Sequence, residues 1–184
     1  MNNVRNEVVL HIHVRKHMDF GFFKELLSID STSGKERKVA EWLAERLPGM
    51  FPATNRPVLR VNEVGDGTLN LLLTWGDPRI VFCSHLDTVP PYILPTFPEG
   101  VSPQADADAQ INGRGSCDAK GQVFAIVEAC KKLAEEGRSD FGMLLLAGEE
   151  TGSWGAKAFA KTDFRAEYLV VGEPTDNCMV AASK

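Results

Sequence analysis

Apolar residues recur along this chain in two rhythms, one helical and one strand-like, and the two alternate. Phe20, Phe23, Leu26 and Leu27 follow helical spacing, as do Val39, Ala40, Trp42, Leu43 and Leu47, because residues three and four apart share one helix face. The second helix is expected to start at Ser33, where Ser33-Gly34-Lys35-Glu36 fits a capping box, and to stop at Pro48-Gly49. Two strand-like runs follow, Val58 to Val64 and Thr68 to Trp75, with Gly65-Asp66-Gly67 as a hairpin turn. The apolar run Ile80-Val81-Phe82-Cys83 predicts a buried strand ending at His85. A long helix is expected from Lys120 to Glu136, with Val123, Phe124, Ile126, Val127, Cys130, Leu133 and Ala134 on its apolar face and Gly137 as its C-terminal cap. Strands are expected at Phe141 to Ala147 and Tyr168 to Val171, with a short helix from Trp154 to Lys161 between them.

Apolar strands separated by helices predict an α/β fold: three layers, α/β/α, around a central mixed, mostly parallel sheet. The stretch from Pro90 to Gly113 breaks the pattern with Pro90, Pro91, Pro95, Pro98 and Pro103, and reads as a long loop. Residues 1–17 also stand apart. They hold His11, His13 and His17, three of the four histidines. His11 and His13 alternate with Leu10, Ile12 and Val14 as in an edge strand, and Met18 opens a fresh helical pattern. We expect residues 1–17 to be an N-terminal extension, with Met18 as a candidate natural start, and residues 18–184 to form the domain.

Composition narrows the functions. The chain has 184 residues, 43% hydrophobic and 24% charged, with 20 basic against 25 acidic side chains. An acidic excess argues against a nucleic-acid partner. No apolar run reaches the roughly 18–20 residues that span a bilayer, so no membrane partner is expected. Val8-Val9-Leu10 is too short for a signal segment, which points to a cytoplasmic location. The four cysteines lack C-x-x-C spacing and are expected to be reduced.

Candidate chemistry sits at the ends of the predicted strands, where open α/β sheets bind ligands. In Ser84-His85-Leu86-Asp87-Thr88-Val89-Pro90, His85 and Asp87 stand two apart and share a side of an extended segment. Glu149 and Glu150 follow the strand Phe141 to Ala147, and Glu173 follows Tyr168 to Val171. Asp118 precedes the long helix, after Gly113-Arg114-Gly115. Taken singly, each has a plain explanation: a buried histidine, a solvated acidic loop, a helix cap, a turn. Their joint occurrence at one sheet edge points to a metal site, and zinc accepts both imidazole and carboxylate. An all-thiolate zinc site is excluded by the cysteine spacing.

The segments Ser84 to Pro90, Gly113-Arg114-Gly115-Ser116-Cys117-Asp118-Ala119-Lys120-Gly121, Gly148-Glu149-Glu150-Thr151-Gly152-Ser153 and Gly172-Glu173-Pro174-Thr175 resemble the co-catalytic zinc amidohydrolase and exopeptidase family. That family includes acetylornithine deacetylase, succinyl-diaminopimelate desuccinylase, aminoacylase and glutamate carboxypeptidase. The resemblance covers Met18 to Lys184. It implies a zinc-exopeptidase-like fold with two zinc sites in the complete form, cobalt being an alternative metal. His85 and Glu173 would hold one zinc, Glu150 the other, with Asp118 bridging. Asp87 would hydrogen-bond His85, Glu149 would act as general base, and the Asp118–Ala119 peptide would be cis.

The family's chains are longer and continue into a lid and dimerisation domain, so this chain reads as the N-terminal portion of the catalytic domain. A homodimer is expected only for the full-length form. The last zinc ligand of the family, a histidine from the returning segment, has no counterpart here. The expected reaction is zinc-dependent hydrolysis of an N-acyl amino acid, of the acetylornithine or succinyl-diaminopimelate kind, impaired in this chain. Dipeptidase or carboxypeptidase action, or a non-catalytic metal-binding fragment, are the alternatives. Apolar surface is expected where further chain would pack.

Overall fold

A computed structural model describes residues 18–65, 67–98, 110–175, 178 and 180. The N-terminal extension with His11 and His13, Asp66 of the hairpin turn, and much of the proline-rich loop with Pro103 lie outside the described residues. The elements run α1 (Phe20–Leu27), α2 (Arg37–Arg46), a 3-10 turn (Leu47–Met50), β1 (Val58–Glu63), β2 (Leu69–Gly76), β3 (Ile80–His85), α3 (Lys120–Glu135), β4 (Asp140–Leu146), α4 (Trp154–Phe159) and β5 (Tyr168–Val171).

Local chemistry explains most of the boundaries. Asp19 caps α1 by accepting the Phe22 amide at 2.9 Å. Gly137, at φ +75°, ends α3 in a left-handed turn, and the amides of Gly137 and Arg138 close on Ala134 and Leu133. The second helix departs from expectation. It begins at Arg37 rather than Ser33, and no side chain caps it. The capping box does not form because its residues serve elsewhere: Ser33 donates to the Asp87 carboxylate at 3.0 Å, and Glu36 is fully buried.

The five strands form one mixed sheet in the order β1-β2-β4-β3-β5. β1–β2 and β2–β4 pair antiparallel, whereas β3 pairs parallel with β4 and with β5. The pairings are therefore evenly split instead of mostly parallel, because the β1–β2 hairpin continues antiparallel into β4. Residues alternate between two faces. Leu71, Leu73, Trp75, Met143 and Leu145 pack with α1, α2 and α3 in the main core. Leu72, Val81, Cys83 and Leu144 face a smaller cluster completed by Phe159 and Phe164. Burial on both faces explains the nearly continuous apolar run of β2, each large side chain contributing about 1.5–3 kcal/mol. Ring contacts tighten the main core: Trp75 stacks on Phe141 at 4.4 Å and Phe23 on Phe124 at 4.7 Å.

One polar clamp positions the segment between β4 and α4. Buried Asn70 accepts the Ala147 amide at 3.0 Å and donates to the Gly155 carbonyl at 2.9 Å. Gly155 allows this approach, since a Cβ there would lie 2.4 Å from the Ala147 oxygen. The sheet's two borders are less covered. All four residues of β5 are 48–59% exposed. Among the described residues, no helix is long and apolar enough to cross a membrane. Cys83 and Cys130 are buried thiols, and Cys117 and Cys178 are exposed ones.

Candidate metal centre

β3 delivers His85 to the carboxyl edge of the sheet, where the ring is only 2% exposed. Both ring nitrogens face oxygen. Nδ1 lies 2.9 Å from the Asp87 main-chain carbonyl, and Nε2 lies 3.0 Å from Asp118 Oδ1. The Asp87 carboxylate stands 3.4 Å from Nδ1, so backbone and side chain of Asp87 both face the ring, the backbone oxygen being the nearer. That carboxylate is fully buried. Its oxygens accept the amides of Glu149 at 2.9 Å and Glu150 at 3.0 Å, as well as the Ser33 hydroxyl.

Each other candidate residue arrives on its own segment. Asp118 sits before α3, and its peptide bond to Ala119 is cis. Glu149 and Glu150 occupy the turn held by the Asn70 clamp. Glu173 follows β5, whose register pairs Val171 with Cys83. The Gly172 amide then donates to the Cys83 carbonyl at 2.7 Å and Ser84 Oγ to the Gly172 carbonyl at 3.2 Å, which carries Glu173 alongside His85. Ligand atoms of His85, Asp118 and Glu173 lie within 4.8 Å of one another, and so do those of His85, Glu149 and Glu150.

The electrostatics favour a cation at this place. Burial pulls the His85 pKa down, but Asp87, then Asp118 and Glu149, outweigh it and raise the value to about 9. For Asp87 burial acts upward, yet His85 and the two amides hold the carboxyl below its usual range. Glu150 is raised by burial, opposed by His85 and reinforced by the neighbouring carboxylates. With acceptors on both nitrogens, the imidazole must carry two protons to satisfy them. A divalent ion held by Nε2 would replace that second proton and would leave Nδ1–H on the Asp87 carbonyl, an arrangement that fixes the tautomer of a ligating histidine. The donor set of imidazole and carboxylates suits zinc or cobalt, and the residues present fit such an ion.

Sequence reasoning missed three supporting residues. Asn70 carried no signal, being one polar residue in an apolar strand. Ser33 was read as a helix cap. Lys120 looks like a solvated helix residue, yet it is 1% exposed, donates to the Ile29 carbonyl, and has its pKa lowered to about 8 by burial, with Asp30 opposing. Two surface grooves, of about 590 Å³ beside Arg60 and Phe159 and about 730 Å³ beside Trp154 and Lys161, include none of the six candidate side chains.

Comparison with known proteins places this geometry in context. The sequence pattern of Peptidase family M20/M25/M40 matches residues 81–181. A probable carboxypeptidase of Aspergillus terreus is 35% identical over 178 residues, covering 89% of this chain and 40% of that protein. A solved tripeptidase from Staphylococcus aureus superposes with a TM-score of 0.66 at 23% identity, over 83% of this chain and 42% of the other. An M20 family metallo-carboxypeptidase from Sulfolobus solfataricus gives 0.61 at 17% identity, over 83% and 36%. The two structures speak for the fold. This chain spans about 40% of the length of the curated relatives it matches.

Proposed function

Because the chain belongs to Peptidase family M20/M25/M40, a family of metallopeptidases, we propose that it supplies the N-terminal part of the catalytic domain of a zinc-dependent amide hydrolase acting on peptides or N-acyl amino acids. The observation that carries this reading is the meeting of His85 with carboxylates from three separate segments. His85, Asp118 and Glu173 would hold one zinc, and Glu150 with Asp118 would contribute to a second. Zinc, or cobalt in its place, would supply Lewis acidity and would lower the pKa of water from about 15.7 to about 7.

The chain's own groups do the rest. Asp87 keeps the His85 ring oriented and fixes the Glu149–Glu150 main chain. Glu149 and Glu150 sit together in the turn after β4, with carboxylate oxygens within 4.8 Å of each other and of the His85 ring, so Glu150 can ligate while Glu149 stays beside it to face the attacking water. The Glu149 carboxylate takes a proton from that water as it adds to the amide carbon. The C–N bond then breaks and the proton passes to the leaving nitrogen. In the full-length form we expect a homodimer.

Similarity to probable carboxypeptidases supports a peptide substrate cleaved at its C-terminal residue. A deacylase of acetylornithine or succinyl-diaminopimelate type is the second reading, favoured by the Gly172-Glu173-Pro174-Thr175 and Asp118-Ala119-Lys120-Gly121 forms. A panel of C-terminally varied dipeptides and of acetylated and succinylated amino acids, assayed on a full-length form, separates the two. In that form Glu149→Ala is expected to lower kcat about 10²–10⁴-fold with zinc content unchanged. Undiminished turnover would remove Glu149 from the mechanism. This chain by itself is expected to take up one zinc ion more tightly than a second. Two equally tight sites in a calorimetric titration would contradict the ligand assignment.

A further inference from the structure

We propose that Ser33 is a positioning residue for the metal centre, acting through Asp87 to hold the His85 ring and the Glu149–Glu150 turn in one arrangement. The inference rests on the reading above that His85 is a metal ligand.

The segment between α1 and α2 does more than connect two helices. It lies against the end of β3, where Thr32 and Thr88 form an isolated parallel bridge. The Thr88 amide donates to the Ser31 carbonyl at 3.0 Å, and the Ser33 amide donates to the Thr88 carbonyl at 3.0 Å. These bonds fix Ser33 directly beside Asp87. The segment is shaped from within by Asp30, whose Oδ1 accepts the Thr32 amide at 3.0 Å and the Thr32 hydroxyl at 2.9 Å. Gly34, at φ +89°, then turns the chain toward α2. Lys120 ties the same segment to the start of α3 through the Ile29 carbonyl, two residues from Asp118. Residues 29–33 thus touch the supports of two candidate ligands that are remote in sequence.

Asp87 is where the Ser33 contact acts. Its Oδ1 accepts the Glu149 amide and faces His85 Nδ1, while its Oδ2 accepts the Glu150 amide and the Ser33 hydroxyl. A fully buried carboxylate has lost its water and depends on such donors to stay ionised and in one orientation. Two of these donors are main chain. The third, Ser33, is a side chain 54 residues away, and a hydroxyl provides the bond without adding a charge to the site. Without it, Oδ2 keeps only the Glu150 amide, and the carboxylate is held less firmly against the ring and the turn.

The test uses the full 184-residue chain, zinc affinity by chelator competition, the visible spectrum of the cobalt-loaded protein, and thermal melting. Ser33→Ala is expected to weaken zinc binding about tenfold, as loss of an outer partner of a ligand does, and to change the cobalt spectrum. Ser33→Thr is expected to restore both. Val39→Ala, a truncation of a buried α2 residue with no hydrogen bond to the site, is expected to lower the melting temperature with affinity and spectrum unchanged. If the unaltered chain binds zinc and Ser33→Ala binds it equally tightly, the inference is overturned. It is also overturned if Val39→Ala weakens zinc as much as Ser33→Ala does. Absence of zinc binding by the unaltered chain would instead remove the metal reading beneath it.

Discussion

β3 and β5 lie side by side and run parallel, β3 ending on the candidate ligand His85 and β5 two residues before Glu173, but they are supported in opposite ways. β3 is enclosed: it has a neighbour on each side, and Val81 and Cys83 are 1% and 4% exposed. His85 at its tip is held by main-chain and carboxylate oxygens. β5 has β3 as its neighbour and shows all four side chains to solvent. The difference teaches that the residues of one candidate metal centre need not be equally organised throughout. The half built on His85 and Asp87 is set by contacts within these residues, whereas the half built on Glu173 depends on an edge strand.

The sharpest way to break that contrast is to remove one carboxylate from each half. Asp87→Ala leaves two amides and a hydroxyl facing a cavity and is expected to cost about 3 kcal/mol of stability, besides zinc affinity. Glu173→Ala is expected to cost under about 1 kcal/mol while also weakening zinc. Urea unfolding with a chelator present measures the stability terms, and equal losses would erase the distinction. A second test is pH. In the metal-free chain the His85 pKa is raised to about 9, above the value of about 6.5 in an unfolded chain. The folded state therefore holds the proton more tightly. The resulting stability is complete below pH 6.5 and disappears as pH rises through 9. We expect a fall on the order of 2 kcal/mol, since the partly exposed Asp118 is screened by solvent. A flat profile in chelator would show that the enclosed ring is neutral.

The fold was legible wherever periodicity was strong. β2, β3 and α3 were expected at nearly their observed limits because each buries a long apolar face. The candidate side chains were also identifiable, since residues at strand ends with metal-binding chemistry are few. What could not be read was the work of polar groups that tertiary contact redirects. Ser33 and Glu36 have the spacing of a capping box, and only the folded chain shows that the serine reaches Asp87 instead. Asn70 holds the Glu149–Glu150 turn from an apolar strand, and nothing local distinguishes it from a surface residue. The orientation of the His85 ring toward the Asp87 backbone is likewise a property of the loop, not of residue spacing.

Two smaller effects sharpen the comparison further. Leu169→Lys with Val170→Lys on β5 is expected to change stability by less than about 1 kcal/mol and to reduce self-association of this chain. Light scattering after size exclusion checks this, and unchanged association would show that the β5 edge is not the adhesive surface. The least disruptive test is thiol reactivity. Cys83 on β3 and Cys130 on α3 have pKa values pushed up to about 12 by burial, whereas Cys117 and Cys178 are exposed. At pH 8 two thiols are expected to react quickly with a disulfide reagent, and four after denaturation. Fast labelling of Cys83 in the native chain would mean that β3 opens as readily as β5.

The strand order carries a consequence for synthesis. β3 ends at His85, but both strands that flank it come later, β4 beginning at Asp140 and β5 at Tyr168. At about 5–20 residues per second, the ribosome releases Ile80 to His85 several seconds before either neighbour exists. Throughout that interval a nascent apolar ribbon has no sheet to join. A holding chaperone, or a slower passage of the ribosome through this stretch, would therefore act on β3 before any of its sheet partners can.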